Sequence, residues 1–527
     1  MRTLIIPAAG NGNRTSEFYF PKCLLAVNQR PIIFQIIESW SKYVDEVVIV
    51  INEKTGLIIK EYMEKYYKNN NMKIVYCLQK KISGTYFAIK EAMLASKNKK
   101  YILNWSDVCL EKNIKDDILM GIDEKNIIFT TEKKSCRWQF KENRFINRGP
   151  YIIGRGGIWG VFILNSISEE FFSLKSEKDE ETEILEKLDP KSFVEIQYED
   201  FVDVGDDGKY TLDVKKADNK TRAFGSSNNM SIYDNVIIKN TSDKKLKDSE
   251  ENWYKNSNFD FSPKVISYSP LVLEKIDSMT LSERIVLEGK GFESFALKRL
   301  FEILKKIHLS KKPVNANFES SYDQYIGKTI KRLEKTNFLF SGFNKKKIEI
   351  NGKLYENPLV LLKKYEKEFL EIFADSFLFV HGDLQTSNAL ITKDNKIYVI
   401  DPRGYFGDTP LYGDPMYDFA KLYYGFCGMW DKFRAGESKV LFNGDSFSIE
   451  PLLSREILDR RRDLFFEETK KVNYVEITEK KIDILHAIIW LSVTDYIAND
   501  VLSSLWGYLN GTILINEVCK RYFNGKI

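Results

Sequence analysis

The sequence predicts an α/β doubly wound domain followed by an α+β domain made of a small β-rich lobe and a larger, mostly helical one. Three observations carry this. From residue 1 to about 130, short β-branched runs alternate with helical patterns, the signature of parallel βαβ units. At Phe224 the texture changes to a Gly/Ser/Asn turn flanked by two short β-like runs, and beyond Ile276 it becomes mostly helical. At 527 residues the chain is also too long for one compact core and calls for two or three folding units. The expected division is 1–222 and 223–527, the latter split into a β-rich lobe at 223–276 and a helical lobe at 277–527.

Taken in order, Leu4-Ile5-Ile6 reads as the first strand, followed by a helix near Pro31 to Lys42, a strand at Glu46 to Ile51 and a helix near Gly56 to Tyr67. A strand at Lys73 to Cys77, a helix near Tyr86 to Ser96 and a strand at Tyr101 to Leu103 continue the alternation. The acidic stretch Leu174 to Leu188 is an exposed helix or a lid, and Val194-Glu195-Ile196 is strand-like. In the second half, β-like runs end at Val236 to Lys239, the polar stretch Thr241 to Asn258 reads as a loop and helix, and helices are expected near 292–307, 320–335 and 357–373. A β-like core at Phe377 to Asp401 interrupts them.

Composition narrows the function. The 79 Lys and Arg against 75 Asp and Glu leave a net charge of +4, and basic runs such as Lys345-Lys346-Lys347 have acidic neighbours, so no phosphate-tracking stripe exists and nucleic acid is not an expected partner. The six cysteines (Cys23, Cys77, Cys109, Cys136, Cys427 and Cys519) form no CxxC pair and suit small core positions in a reduced compartment. The first strand begins at once, leaving no room for a signal peptide. The longest uncharged stretch, Val501 to Asn516, is shorter than a spanning helix requires and contains Gly507, Asn510 and Gly511. A cytoplasmic protein without membrane insertion is the expectation; homo-oligomerisation is left open.

The first candidate site follows the first strand. Ala8-Ala9-Gly10-Asn11-Gly12-Asn13-Arg14 is a glycine-rich loop whose backbone amides can approach phosphates, and Lys22, after Pro21, adds a second cation beside Arg14, as departure of a pyrophosphate demands. These residues resemble the nucleotidyltransferase superfamily that activates phosphorylated sugars and alcohols, whose opening is Gly-x-Gly-Ser/Thr-Arg followed by Pro-Lys; the chain departs from it at Asn13. The resemblance spans about residues 1 to 220. It implies nucleotide contacts by Ala8, Ala9, Gly10, Gly12, Gln79, Gly84 and Thr85, catalytic roles for Lys22 and Arg14, and an Mg²⁺ site at Asp107 and Asp203. Gly154 to Phe162 matches the strand and turn that face the acceptor.

The second site is the stronger signal. His381-Gly382-Asp383-Leu384-Gln385-Thr386-Ser387-Asn388, followed by Ile400-Asp401-Pro402, supplies the parts of phosphoryl transfer: a carboxylate to orient and deprotonate a hydroxyl, and an amide and a second carboxylate for Mg²⁺ on ATP. The arrangement resembles the aminoglycoside phosphotransferase and choline kinase superfamily, with a protein-kinase-like fold. That resemblance implies Asp383 as catalytic base, Asn388 and Asp401 as metal ligands, Lys239 as the strand lysine on the ATP phosphates, Glu251 as the better of two adjacent candidates for its helix partner, Gly225 to Asn229 as phosphate cover and Leu273 to Ile276 as hinge. Asp418, in the downstream Gly-Asp-Pro segment, is expected to be structural. The chain departs from choline kinases at Arg403, which places a cation at the acceptor pocket. Tyr423, Tyr424, Trp430, Trp490 and Trp506 are either a cage for a quaternary ammonium or core, core being the commoner use of aromatics at helical spacing.

A kinase makes a phosphate monoester and a nucleotidyltransferase consumes one. The expected function is therefore consecutive: ATP phosphorylates a small alcohol or sugar, and a second NTP, CTP favoured, activates the product. Domain order resembles fused phosphocholine cytidylyltransferase and choline kinase proteins that supply surface glycans; a sugar kinase with a sugar-1-phosphate nucleotidyltransferase is the alternative, and a non-catalytic nucleotide sensor the alternative of another class.

Overall fold

The computed structural model describes residues 1–10, 20–53, 56–68, 72–79, 84–114, 125–173, 182–204, 228–241, 243–434, 436–443 and 446–523. The chain divides into two compact units, Met1–Thr221 with Asn499–Val501, and Arg222–Ala498 with Leu502–Ile527.

The first unit is built on a nine-stranded sheet. Its strands Lys73–Gln79, Val44–Asn52, Arg2–Pro7 and Tyr101–Asn104 lie side by side and parallel, with Ile5 opposite both Val48 and Leu103. Val44–Asn52 is buried almost throughout, and apolar without a break from Val47 to Ile51, because both its faces are covered, as central parallel strands require. The helices Ile32–Trp40, Gly56–Tyr66 and Thr85–Ala95 make the crossovers. Beyond Tyr101–Asn104 the sheet becomes mixed: Gly157–Leu164 runs antiparallel to it, and Asn126–Thr131 continues outward to a parallel partner, Phe193–Gln197. Ile5, Val48, Tyr86, Ile89, Leu103 and Phe162 lie in its core. Of the acidic stretch, residues 174–181 lie outside the described residues; Ile184–Glu186 is a single 3-10 turn.

The second unit opens with a four-stranded antiparallel sheet in the order Asn228–Ile232, Val236–Thr241, Leu271–Glu274, Val265–Tyr268. The helix Lys244–Asn256 inserts after its second strand, capped by Asp243, whose side chain accepts the Leu246 N–H at 3.1 Å. Trp253 on this helix is fully buried and donates Nε1–H to the Val380 carbonyl at 3.0 Å, tying the helix to the strand that leads into the His381 loop. The helical part comprises Lys290–His308, Lys328–Thr336, Pro415–Phe426, Arg455–Thr469, Glu479–Tyr496 and Val501–Tyr522, besides shorter turns. Among the described residues, no helix is long and apolar enough to cross a membrane.

Three details differ from the sequence reading. The helix expected at 320–335 is broken by a π-turn, Asp323–Gly327, between Phe318–Tyr322 and Lys328–Thr336. The one at 357–373 is two short helices meeting at Tyr365. A second four-stranded sheet, Lys353–Glu356, Lys347–Ile350, Ser446–Ile449 and Val440–Asn443, was not foreseen. Its signal was present: Asn351-Gly352, both at positive φ (52° and 71°), is the two-residue turn that hairpins favour.

Two candidate active sites

At the first site, Ala8 and Ala9 are buried where the first strand ends. Ala8 donates its N–H to the Val50 carbonyl at 2.9 Å, and the Ala9 carbonyl accepts Asn52 Nδ2–H at 2.8 Å, so the chain leaves the sheet at a fixed point with Gly10 exposed. Gly12, Asn13 and Arg14 lie outside the described residues, as does Ser83. Lys22 opens the 3-10 turn Lys22–Leu24. The strand Phe201–Asp203 pairs antiparallel with Val108–Leu110, setting Asp203 opposite Val108, and the Val204 N–H reaches the Asp107 carbonyl at 2.9 Å. Two carboxylates nearly a hundred residues apart in sequence thus share one end of a two-stranded ribbon.

Gln79 ends its strand buried, with the amide nitrogen lacking a hydrogen-bond partner. Gly84 caps the next helix at φ 85°, where a Cβ would meet the Thr182 backbone at 2.5 Å, so only glycine fits. Thr85, expected to face the nucleotide, spends its hydroxyl elsewhere: it donates to Glu183 at 2.8 Å and accepts the Ile184 N–H at 3.0 Å. In the Gly154 to Phe162 segment, Gly160 has φ 93°, and a Cβ there would strike the Trp105 ring at 2.3 Å. Asn104-Trp105-Ser106-Asp107 and this turn are therefore fitted to each other.

The second site assembles around Asp383. The Asp418 carboxylate, fully buried, accepts the backbone N–H groups of His381 (2.9 Å) and Gly382 (2.7 Å) and bonds His308 Nε2 at 3.1 Å, holding the loop from the helix beneath it. Asn388 Nδ2 donates to the Asp383 carbonyl at 2.8 Å, and the Ile400 N–H bonds the Asn388 carbonyl at 2.9 Å, which brings Asn388 beside the strand that delivers Asp401. Asp401 has φ 59°, an uncommon conformation for a residue with a side chain, of the kind held at functional sites. Gly404 follows at φ 69°, where a Cβ would meet the Ser249 carbonyl at 2.2 Å.

Lys239 forms ion pairs with Glu250 and with Asp401. Burial works against its charge, but the two carboxylates outweigh burial and hold it protonated. The helix partner is therefore Glu250 and not Glu251, a correction with a simple cause: adjacent helical residues point about 100° apart, and it is Glu250 that turns toward the sheet. Glu251 reaches Lys255 at 3.7 Å instead. Of Gly225 to Asn229, residues 225–227 lie outside the described residues.

Sequence reading missed Lys421. On the Pro415–Phe426 helix, one turn beyond Asp418, its Nζ lies 2.7 Å from Asp383 Oδ1. Burial alone would raise the Asp383 carboxyl; Lys421 and Arg403 outweigh it and hold the carboxyl below the usual carboxylate range. Arg403 donates its backbone N–H to the His381 carbonyl at 2.8 Å, and its Nη1 is buried without a hydrogen-bond partner. The two nearby buried carboxylates are spent elsewhere: Asp414 takes the Tyr325 hydroxyl and the Met416 N–H, and Asp418 holds the loop. The aromatics are core. Tyr424 packs on Trp490 at 4.8 Å and Trp490 on Trp506 at 5.2 Å, all buried, while Trp490 Nε1–H goes to His486 and Tyr423 OH accepts from Arg462.

The residues fit the hard cation both folds imply. Asn388 and Asp401 offer oxygen donors on adjoining backbone, and Asp107 and Asp203 offer carboxylates at one ribbon end.

Residues 296–445 match the family model described as the phosphotransferase enzyme family, a stretch that contains Asp383, Asn388, Asp401 and Asp418. The N-terminal region is similar to the D-glycero-alpha-D-manno-heptose 1-phosphate guanylyltransferase of Campylobacter jejuni, 27% identical over 223 residues, covering 38% of this chain and 93% of the relative. Among solved structures, a putative glucose-1-phosphate thymidylyltransferase from Bacillus anthracis matches at a TM-score of 0.36 and 15% identity, over 42% of this chain and 97% of that one. HddC from Yersinia pseudotuberculosis matches at 0.33 and 21%, over 41% and 99%. The chain is a fusion enzyme, with a nucleotidyltransferase-like N-terminal region and a C-terminal domain of the phosphotransferase, kinase-like type.

Proposed function

We propose that the two sites act consecutively on one small sugar or polyol. In the kinase half, the acceptor hydroxyl oxygen bonds to the γ-phosphorus of ATP as the bond to the β–γ bridging oxygen breaks; ADP leaves and the hydroxyl proton passes to Asp383. Lys421 keeps that carboxylate ionised, and Asp418 fixes its loop. Lys239, held by Glu250, steadies the ATP phosphates. In the first half, an oxygen of the new phosphate monoester attacks the α-phosphorus of an NTP and pyrophosphate departs, its charge met by Lys22. Mg²⁺, held by Asn388 and Asp401 in one site and by Asp107 and Asp203 in the other, would supply neutralisation of phosphate charge.

The observation that carries the acceptor class is Arg403. A guanidinium with an unsatisfied buried nitrogen beside Asp383 suits a polyhydroxyl or anionic acceptor and opposes a quaternary ammonium, and the rings expected as a cage for such a cation fill one another's space. The sugar phosphate in the guanylyltransferase relative's name supports the same choice. The proposed product is a nucleoside-diphosphate-linked sugar or polyol, the activated form that glycan-building transferases consume, and not a CDP-choline-like one.

The test is incubation with ATP, Mg²⁺, each of the four NTPs and an acceptor panel, with mass spectrometry of NDP-linked products. Asp383→Asn should abolish ATP-dependent phosphorylation yet leave pyrophosphate release from NTP and a pre-phosphorylated acceptor. Loss of both activities in a folded variant refutes two separate sites.

A further inference from the structure

The Lys328–Thr336 helix starts directly after the π-turn and carries Lys328 and Arg332 one turn apart on one face. Neither has a carboxylate at ion-pair distance among the described residues. Among the described residues, the one hydrogen bond of Lys328 is a long one, to Gln324 Oε1 at 3.5 Å, and Arg332 donates to the Ser492 carbonyl at 2.6 Å. Asp495, whose charge also reaches Arg332, is paired with Lys335 at 2.8 Å. Both cations face Arg403, itself left with a buried, unpartnered nitrogen, and Lys328 also faces Lys421. Four cationic groups from three separate segments thus stand together: Lys328, Arg403 and Lys421 near one carboxylate, Asp383, which Lys421 already engages, and Arg332 beside Arg403 and Lys328.

Such a gathering works against the fold. Burial and the neighbouring Arg403, Arg332 and Lys421 together push the Lys328 amine well below its ordinary range. Like charges partly withdrawn from water and left unpaired destabilise the free protein, and an anion placed among them offsets that cost. The anion is not accounted for by ATP in the kinase reading, since the phosphate lysine Lys239 has its own partners, Glu250, Asp401 and Tyr254, none of them in this group.

We infer that the kinase acceptor is itself an anion: a small molecule whose hydroxyl meets Asp383 while a phosphate monoester or carboxylate on the same molecule is held by Lys328, Arg332 and Arg403. This rests on the kinase reading of the second site. Neutral sugars and amino alcohols lack the group that the three cations are placed to hold.

Two experiments on the full chain test it. Inorganic phosphate is titrated calorimetrically into protein saturated with Mg²⁺ and a non-hydrolysable ATP analogue, for the native chain, Lys328→Met, and Lys328→Met/Arg332→Met. The expected result is at least a ~10-fold loss of phosphate affinity in the single variant and loss of one binding event in the double. Lys328→Met should also melt at a higher temperature than the native chain, because a half-buried charge repelled by Arg403, Arg332 and Lys421 has gone; a lysine with a merely structural role would lower it. If the double variant does not fold, the single one carries the comparison. In the second experiment, ATP turnover is measured with hexose phosphates, hexuronates and hydroxy acids, neutral sugars and polyols, and choline and ethanolamine. Turnover confined to phosphorylated acceptors or to carboxylated ones supports the inference and names the anion, and Lys328→Met should then raise the acceptor KM and spare the KM for ATP. Identical phosphate isotherms in all three proteins overturn it. So does turnover of a neutral or cationic acceptor with an acceptor KM that the variants leave unchanged, an outcome under which the kinase reading stands. Absence of ATP binding to the second unit sinks the kinase reading, and the inference with it.

Discussion

Asp418→Asn isolates what holds the catalytic loop in place. One carboxylate oxygen accepts both the His381 N–H (2.9 Å) and the His308 Nε2 contact (3.1 Å), and the other accepts the Gly382 N–H (2.7 Å). An asparagine cannot reproduce this set. Oriented to keep the first pair, it turns its own NH₂ toward the Gly382 N–H, so one bond to a charged acceptor is lost, about 1.5–3 kcal/mol, and one buried donor is stranded, about 1–3 kcal/mol more. The opposite orientation loses two bonds and is worse. The expected destabilisation of the second unit is therefore roughly 3–6 kcal/mol, a fall in its melting temperature on the order of 5–10 °C. Because Gly382 precedes the base directly, a loop shift approaching 1 Å should also lower the kinase rate by about 100-fold in protein that is still folded. Calorimetric melting, with ATP-dependent phosphorylation measured well below the transition, reads both effects, while pyrophosphate release by the first unit serves as an internal control. A variant with native melting temperature and a kinase rate within about twofold of native would show that the carboxylate does not hold the loop, and the positioning argument would fail.

Other outcomes follow from the same geometry. In Lys421→Met the larger of the two charges that offset the burial of Asp383 is gone, so its carboxyl rises; because the proposed base must be deprotonated, the acid limb of the kinase kcat/KM profile should move to higher pH, and an unmoved limb would exclude the pair from catalysis. Glu250→Gln should lower kcat/KM for ATP by about 10- to 100-fold through loss of a buried partner of Lys239, whereas Glu251→Gln, which faces Lys255, should stay within roughly twofold; equal effects would restore the ambiguity between them. Lys22→Ala should slow pyrophosphate release by an amount equivalent to about 2–4 kcal/mol and spare phosphorylation, and unchanged release would reduce the loop to a turn.

The sequence alone determined whatever is written within a short span. The alternation of buried runs and helices placed the parallel strands from Arg2 to Asn104, because the period of apolar residues follows local backbone geometry. The run from His381 to Asn388 and Asp401 was legible for the same reason: base, amide and second carboxylate sit on one hairpin, close in sequence and in space. The family resemblance also implied a structural Asp418, whose carboxylate accepts the His381 and Gly382 N–H groups. Only the tertiary structure decided matters of phase and of distance along the chain. Glu250 and Glu251 differ by one residue, and which of them meets Lys239 depends on how the helix is rotated against the sheet, a helix that the buried Trp253 ties down through its bond to the Val380 carbonyl. Thr85 looked available until the distant Glu183 took its hydroxyl. Lys328 and Lys421 carry no local motif; each is an ordinary cation on a helix until the fold brings residues almost a hundred positions apart near Asp383, because burial and charge are properties of the neighbours a side chain meets and not of its own stretch of sequence.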